Sequence, residues 1–241
     1  MIYTLLNKSQ NTLRNFIMFK FMKIKSILLL ITVLLFLNGC KIDFSGDLYT
    51  SDLLAIANEG GSINLPMEIR FQISSCDEDL TSLNNKISTY FIDYKQISCG
   101  TGDDFMDYIT SKVAVPIYNN LEQFNSENKS LIGYQSTIWE GQTKPFVYIN
   151  LNLNKFESLS DFIENETFQT LSLEEGIFKV SVNNDIETLK LSVFPSLVDG
   201  EPIVFRTSYD LGKRQNLIIE SSNISAIHLQ KNGWAPLFIF E

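Results

Sequence analysis

The chain has 241 residues, 44% of them hydrophobic and 12% aromatic, with 28 acidic residues against 19 basic ones and a net charge of −9. That composition excludes bulk disorder and supports one sizeable core. The negative balance works against binding to phosphate backbones, so nucleic acid is not an expected partner.

The first forty residues differ from the rest. Lys8, Arg14, Lys20, Lys23 and Lys25 precede Cys40 and no acid does, which leaves 14 basic against 28 acidic residues from Cys40 onward, a net of −14. From Met22, the expected true start, two lysines lead into an apolar run from Ile27 to Leu37. That run fits the ~7 to 15 residue core of a secretory signal peptide and falls short of the ~20 residues a membrane-spanning helix needs. Leu37, Asn38, Gly39 and Cys40 then resemble the lipobox of bacterial lipoproteins, with Asn38 standing where Ala or Ser is commoner. The resemblance implies removal of residues 1–39, a diacylglyceryl group on the Cys40 sulfur, and acylation of the new amino terminus, palmitate being the usual chain. Each buried methylene adds ~0.8 kcal/mol to such an anchor. Lys41 replaces the Asp that retains enterobacterial lipoproteins in the inner membrane, so the implied location is the outer membrane, facing the periplasm. The stretch "CKIDFSGDLYTSDLLAIA" is also similar to uncharacterised lipoproteins of bacterial and prophage genomes, which imply no activity.

Residues 40–48 read as a tether and 49–241 as a single α+β domain. It is expected to be mostly antiparallel sheet with two or three helices, concentrated in the N-terminal half. The first helix lies within Tyr49–Gly61, with Thr50 or Ser51 as N-cap and a double-glycine stop. Alternation of Met67, Ile69, Phe71 and Ile73 predicts a half-buried strand. Leu80, Leu83, Ile87, Tyr90, Phe91 and Tyr94 recur at helical spacing and predict a second helix within Cys76–Ser98. Val113, Val115 and Ile117 predict a strand interrupted near Pro116, which suits an edge. The polar stretch Asn119–Ser130 marks a mobile loop or a boundary between subdomains. Strands dominate thereafter, with one helix within Ser158–Leu173. Ser181–Val193 reads as a hairpin with an Asn-Asn-Asp turn, and Val198–Pro202 as a further turn.

With Cys40 taken by lipid, Cys76 and Cys99 remain, and an oxidising compartment predicts one disulfide between them. The only histidine, His228, falls in an alternating segment read as a strand and has no nameable orienting partner. Neither Ser-His-Asp nor Cys-His machinery is supported, and no P-loop or HExxH motif occurs, so no catalytic residue is assigned. Asp103, Asp104 and Asp107 lie near Gly100 and Gly102 but lack the ligand spacing of a calcium loop, so neither metal nor other cofactor is expected. Trp139 and Trp234 stand beside turn residues, where tryptophan seals a sheet end or, when exposed, anchors a contact. These features together predict a non-enzymatic envelope protein, bound to the membrane through its lipid and to an envelope protein or other ligand at the periplasmic face. The alternatives are a tethered cell-wall hydrolase, which needs two convergent carboxylates, and an apolar-ligand carrier, which needs a continuous apolar cavity.

Overall fold

Strand β1 (Cys40–Tyr49) buries Cys40, Ile42, Phe44 and Leu48 on one face. A computed structural model describes residues 40–77, 80–126, 130–167 and 170–241; the expected signal segment, 1–39, lies outside the described residues. β1 pairs antiparallel with β2 (Ser62–Ile73), and parallel with β8 (Phe178–Asn183) and the short β7 (Leu171–Ser172). Residues 40–48 are therefore an interior strand of a sheet and not the tether the sequence predicts.

On one side of β1 the sheet continues from β2 to β4 (Asp107–Tyr118), which also carries β3 (Ile92–Thr101) as a hairpin partner. The β3 ladder reaches Ala114, and β5 (Ile132–Thr137) joins β4 in parallel from Ile117. Pro116 sits at that handover, where a missing N–H costs least. Beyond β5 come β6 (Phe146–Leu151), β14 (Trp234–Phe240), β9 (Leu189–Val193) and β12 (Thr207–Leu211). Beyond β8 lie β13 (Asn216–Ser221), β10 (Ser196–Val198) and β11 (Glu201–Ile203).

The result is one 14-stranded sheet whose path ends at β11 and β12. In the chain these two end strands are separated only by Val204, Phe205 and Arg206. Four Cα steps span at most about 14 Å, so the sheet curls until its ends approach, a nearly closed barrel.

This mostly β architecture corrects the α+β expectation. Helices α1 (Thr50–Glu59), α2 (Thr81–Ser88), α3 (Leu121–Ser126), α4 (Leu153–Thr167) and α5 (Asn223–Asn232) are spread along the chain and not gathered in its first half. One cause is the segment Cys76–Ser98, which is helical only in α2 and then becomes β3. Asp93 takes a φ of 50°, and register shifts lie between Ile92 and Lys95 and between Gln96 and Ser98. Such bulges break strict alternation, which is how Tyr90, Phe91 and Tyr94 come to imitate helical spacing. The hairpin predicted within Ser181–Val193 does not form. β8 pairs with β1 and β13, whereas β9 pairs with β12 and β14. The turn predicted at Val198–Pro202 does form between β10 and β11, with Asp199 and Gly200 at φ 50° and 87°.

Four phenylalanine rings cluster within a largely aliphatic interior. Phe44 stacks on Phe178 with centroids 5.1 Å apart and approaches Phe91 at 6.2 Å, and Phe71 meets Phe91 edge-on at 6.1 Å. Each buried side chain of this size contributes about 1.5–3 kcal/mol. α1 lies against β5, where the buried Ser136 hydroxyl donates to Leu53 O at 2.8 Å. Its amino end is capped from a distance, Asp185 accepting from Ser51 N at 3.0 Å and from the Ser51 hydroxyl. At its carboxyl end Asn119 Nδ2 donates to Ile56 O and Ala57 O, both at 3.2 Å. Residues from β1 to the C-terminus form one unit, so Asn119–Ser130 marks no subdomain boundary.

Candidate functional site

The residues singled out in the sequence are dispersed. Cys76 and Cys99 form a disulfide with Cα atoms 5.7 Å apart, tying the connection after β2 to strand β3. Cys40 is buried at the start of β1, and its thiol donates to Gln72 O at 2.6 Å.

The acidic turn is a structural brace. Asp104 Oδ2 accepts from Lys41 Nζ at 2.8 Å and from Tyr108 OH at 2.6 Å. Lys41 foremost, then Tyr108, holds the Asp104 carboxyl well below the usual range. Asp107 accepts from Cys76 N at 2.8 Å and Thr101 Oγ1 at 2.7 Å, which lowers its carboxyl too. Among the described residues no group of three His, Cys, Asp or Glu side chains converges as a metal site requires.

His228 lies on α5, not on a strand. The Ser222 hydroxyl caps that helix by accepting from Ser225 N, and Gly233 ends it with a left-handed φ of 79°. Asn232 Nδ2 lies 3.2 Å from His228 Nδ1. His228 packs edge-on against Trp234, with ring centroids 4.9 Å apart.

That contact begins an aromatic strip across the sheet. Phe146 and Tyr148 alternate along β6 with Val147 and Ile149, which are buried on the opposite face. Their rings lie nearly parallel, 8° apart. The turn after β5, with Gly141 at φ 79°, folds Trp139 back over both, at 5.0 Å from Phe146 and 5.6 Å from Tyr148. Trp234, the first residue of β14, meets Tyr148 nearly perpendicularly at 5.7 Å. Burial pushes the Tyr148 hydroxyl well above its usual range. Although stacked, Trp139 is 51% exposed and Trp234 39%. The two tryptophans thus cover the aromatic residues of β6 and also offer surface to solvent.

Beside Trp234 opens a cleft of about 370 Å³, bounded by the start of α4, the end of α5 and Leu121. Its polar lining is Asn152, Asn154 and Asn232. Asn152 caps α4, its Oδ1 accepting from Lys155 N at 3.0 Å. Gly233 closes the floor, because a Cβ there would stand 3.2 Å from Leu151 O and 3.4 Å from Leu153 Cγ. Sequence reading singled out the two tryptophans and His228 but missed Phe146, Tyr148 and the three asparagines. The signal for the first two was present in "FVYIN", where aromatic residues occupy every second position of a strand that is apolar on both faces.

A family model described as a domain of unknown function (DUF7424) matches residues 43–241. No curated protein and no solved structure matches the chain.

Proposed function

The chain belongs to the DUF7424 family, and on that premise we propose that it is a non-enzymatic, lipid-anchored envelope protein that binds a partner molecule at the periplasmic side of the outer membrane. The observation that carries the reading is the aromatic strip. Trp139 lies outside the buried core, stacked on Phe146 and Tyr148 and still 51% exposed. Half-exposed tryptophans held in place by stacking on a strand are frequent anchors of a contact surface.

The anchor rests on the motif Leu37–Cys40, the basic flank and apolar run before it, and the acidic chain after it. Acylation requires Cys40 to leave its buried position, and the pairing at this end permits that. Cys40 and Lys41 pair only with Leu171 and Ser172 of β7, while the β2 ladder starts at Ile42 and the β8 ladder at Phe44. Among the described residues no helix is long and apolar enough to cross a membrane. The hydrolase alternative is disfavoured because, among the described residues, no carboxylate lines the cleft.

Two measurements test the proposal. Metabolic labelling with a palmitate analogue is expected to mark the wild-type chain and not Cys40→Ala; label persisting on the variant removes the anchor. Crosslinking in intact cells followed by capture is expected to yield a partner that Trp139→Ala and Trp234→Ala each lose. Capture undiminished in both variants removes the strip as the contact surface.

A further inference from the structure

We infer that the cleft beside Trp234, with the neighbouring Trp139 surface, is a binding site for an uncharged saccharide; the inference rests on the reading of the aromatic strip as a contact surface and names its ligand. The cleft has unused hydrogen-bonding capacity. Asn152 has committed its Oδ1 to Lys155 N and leaves its NH₂ for a ligand. Asn232 has committed its NH₂ to His228 O and leaves its Oδ1. Asn154 is exposed at the cleft, and neither end of its amide has a protein partner among the described residues. The lining therefore presents donors and acceptors side by side. A hydroxyl group both donates and accepts, so a ring bearing vicinal hydroxyls uses the whole set, whereas an anion would use only the donors.

Among the described residues no Asp, Glu, Lys or Arg lines the cleft, so a charged ligand would lose hydration there without gaining a counter-ion from them. The chain from Cys40 onward carries a net of −14, which repels anionic polymers at longer range. Trp234 forms one wall, and its neighbours Tyr148 and His228 stand at 77° and 85° to its plane. An aromatic face carries negative charge density and attracts the polarised C–H bonds on the flat side of a pyranose. The volume of about 370 Å³ lies near the small end of ligand pockets, which suits a short oligosaccharide end better than a peptide segment or an acyl chain.

The sequence contains two tryptophans, both in the strip, so intrinsic fluorescence reads the site directly. The full chain, extracted in a zwitterionic detergent that carries no sugar headgroup, is titrated with neutral N-acetylglucosamine and glucose oligomers and with an oligomer of glucuronic acid. At least one neutral oligomer is expected to change the emission saturably, the acidic one binding at least tenfold more weakly. Asn154→Asp, at an exposed position, is expected to lower the neutral affinity at least tenfold while leaving the far-ultraviolet circular dichroism unchanged. Silence from every neutral oligomer, tighter binding of the acidic one, or an undiminished affinity in Asn154→Asp would overturn the inference. If sugars fail while crosslinked capture still depends on Trp139, the strip is a protein-contact surface and only the saccharide assignment falls. If neither assay responds to Trp139→Ala or Trp234→Ala, the contact-surface reading falls with it.

Discussion

The thiol of Cys40 donates to the backbone carbonyl of Gln72 at 2.6 Å from a position 2% exposed, facing the interior of the sheet. Burial pushes this thiol up to about 12, so at about pH 8 almost none of it is the nucleophilic thiolate. In unprocessed chain, Cys40 is expected to resist iodoacetamide until the protein is denatured. Chain extracted from membranes is expected to remain unlabelled even after denaturation without reductant, because a thioether has replaced the thiol and the remaining cysteines are paired. Alkylation of denatured, membrane-extracted Cys40 would make it a core thiol and remove the anchor.

The Cys76–Cys99 bond spans 23 residues that include α2 and most of β3. Among the described residues β3 pairs only with β4, through a ladder broken by two register shifts. Cross-linking acts chiefly on the unfolded chain, and removing this bond is expected to cost about 3 kcal/mol. Urea denaturation of the double variant Cys76→Ala, Cys99→Ala measures it. A loss below about 1 kcal/mol would mean that native strain or residual unfolded structure cancels the constraint.

Local signals were legible where one residue pattern had one structural solution. The alternation of Met67, Ile69, Phe71 and Ile73 marks β2, and the glycines at 60 and 61 stop α1 at Glu59. The segment "NISAIHLQ" was ambiguous, because Ala226 and Leu229 fit a helix face as readily as Ile227 and Leu229 fit a strand face. Ser222 and Gly233, which cap α5, were the deciding residues and lay just outside the alternating window. The fold class depended on pairing, which no local signal carries. The Asn-Asn-Asp signal at 183–185 does change the chain's direction, but it carries the chain from β8 to a different part of the sheet. The candidate site was half visible for the same reason: tryptophan beside a turn is readable, whereas the meeting of α4, α5 and β14 that forms the cleft is not.

That change of direction is fixed by Asn184, buried between α1 and the β12–β13 turn. Its Nδ2 donates to Leu211 O at 2.8 Å and Glu187 O at 3.0 Å, while its Oδ1 accepts from Ile186 N at 3.2 Å and lies 2.9 Å from the Thr50 hydroxyl. Asn184→Ala leaves several buried groups unpaired, each worth about 1–3 kcal/mol, so a loss of about 3 kcal/mol or more is expected. Asp185→Ala removes an exposed helix cap and is expected to cost only about 1 kcal/mol. Equal losses in urea denaturation would mean that Asn184 is not the group joining α1 to this turn.

At the tip between β3 and β4, Phe105 is 89% exposed at a φ of 63°. Two backbone bonds close the tip, from Gly102 N to Met106 O and from Phe105 N to Gly102 O, and Asp104 braces it against Lys41 and Tyr108. The Asp104 carboxyl is held low, so its contribution is complete above the unfolded value near ~3.9 and is lost as pH falls through the folded one. Lys41 is raised, chiefly by the same hydrogen bond, so its share is complete below about 10.4 and is lost as pH rises past its folded value. The carboxylate side chain is 39% exposed, so solvent screening keeps the effect on global unfolding small and the readout must be local. Amide exchange at residues 102–106 is expected to accelerate in strong acid in the wild type. In Asp104→Asn it is expected to be fast already near neutrality and to lose that acid response, once the intrinsic pH dependence of exchange is subtracted. A tip equally protected in both proteins would mean that the two backbone bonds hold it alone and that the Lys41–Asp104–Tyr108 contacts add nothing to its order.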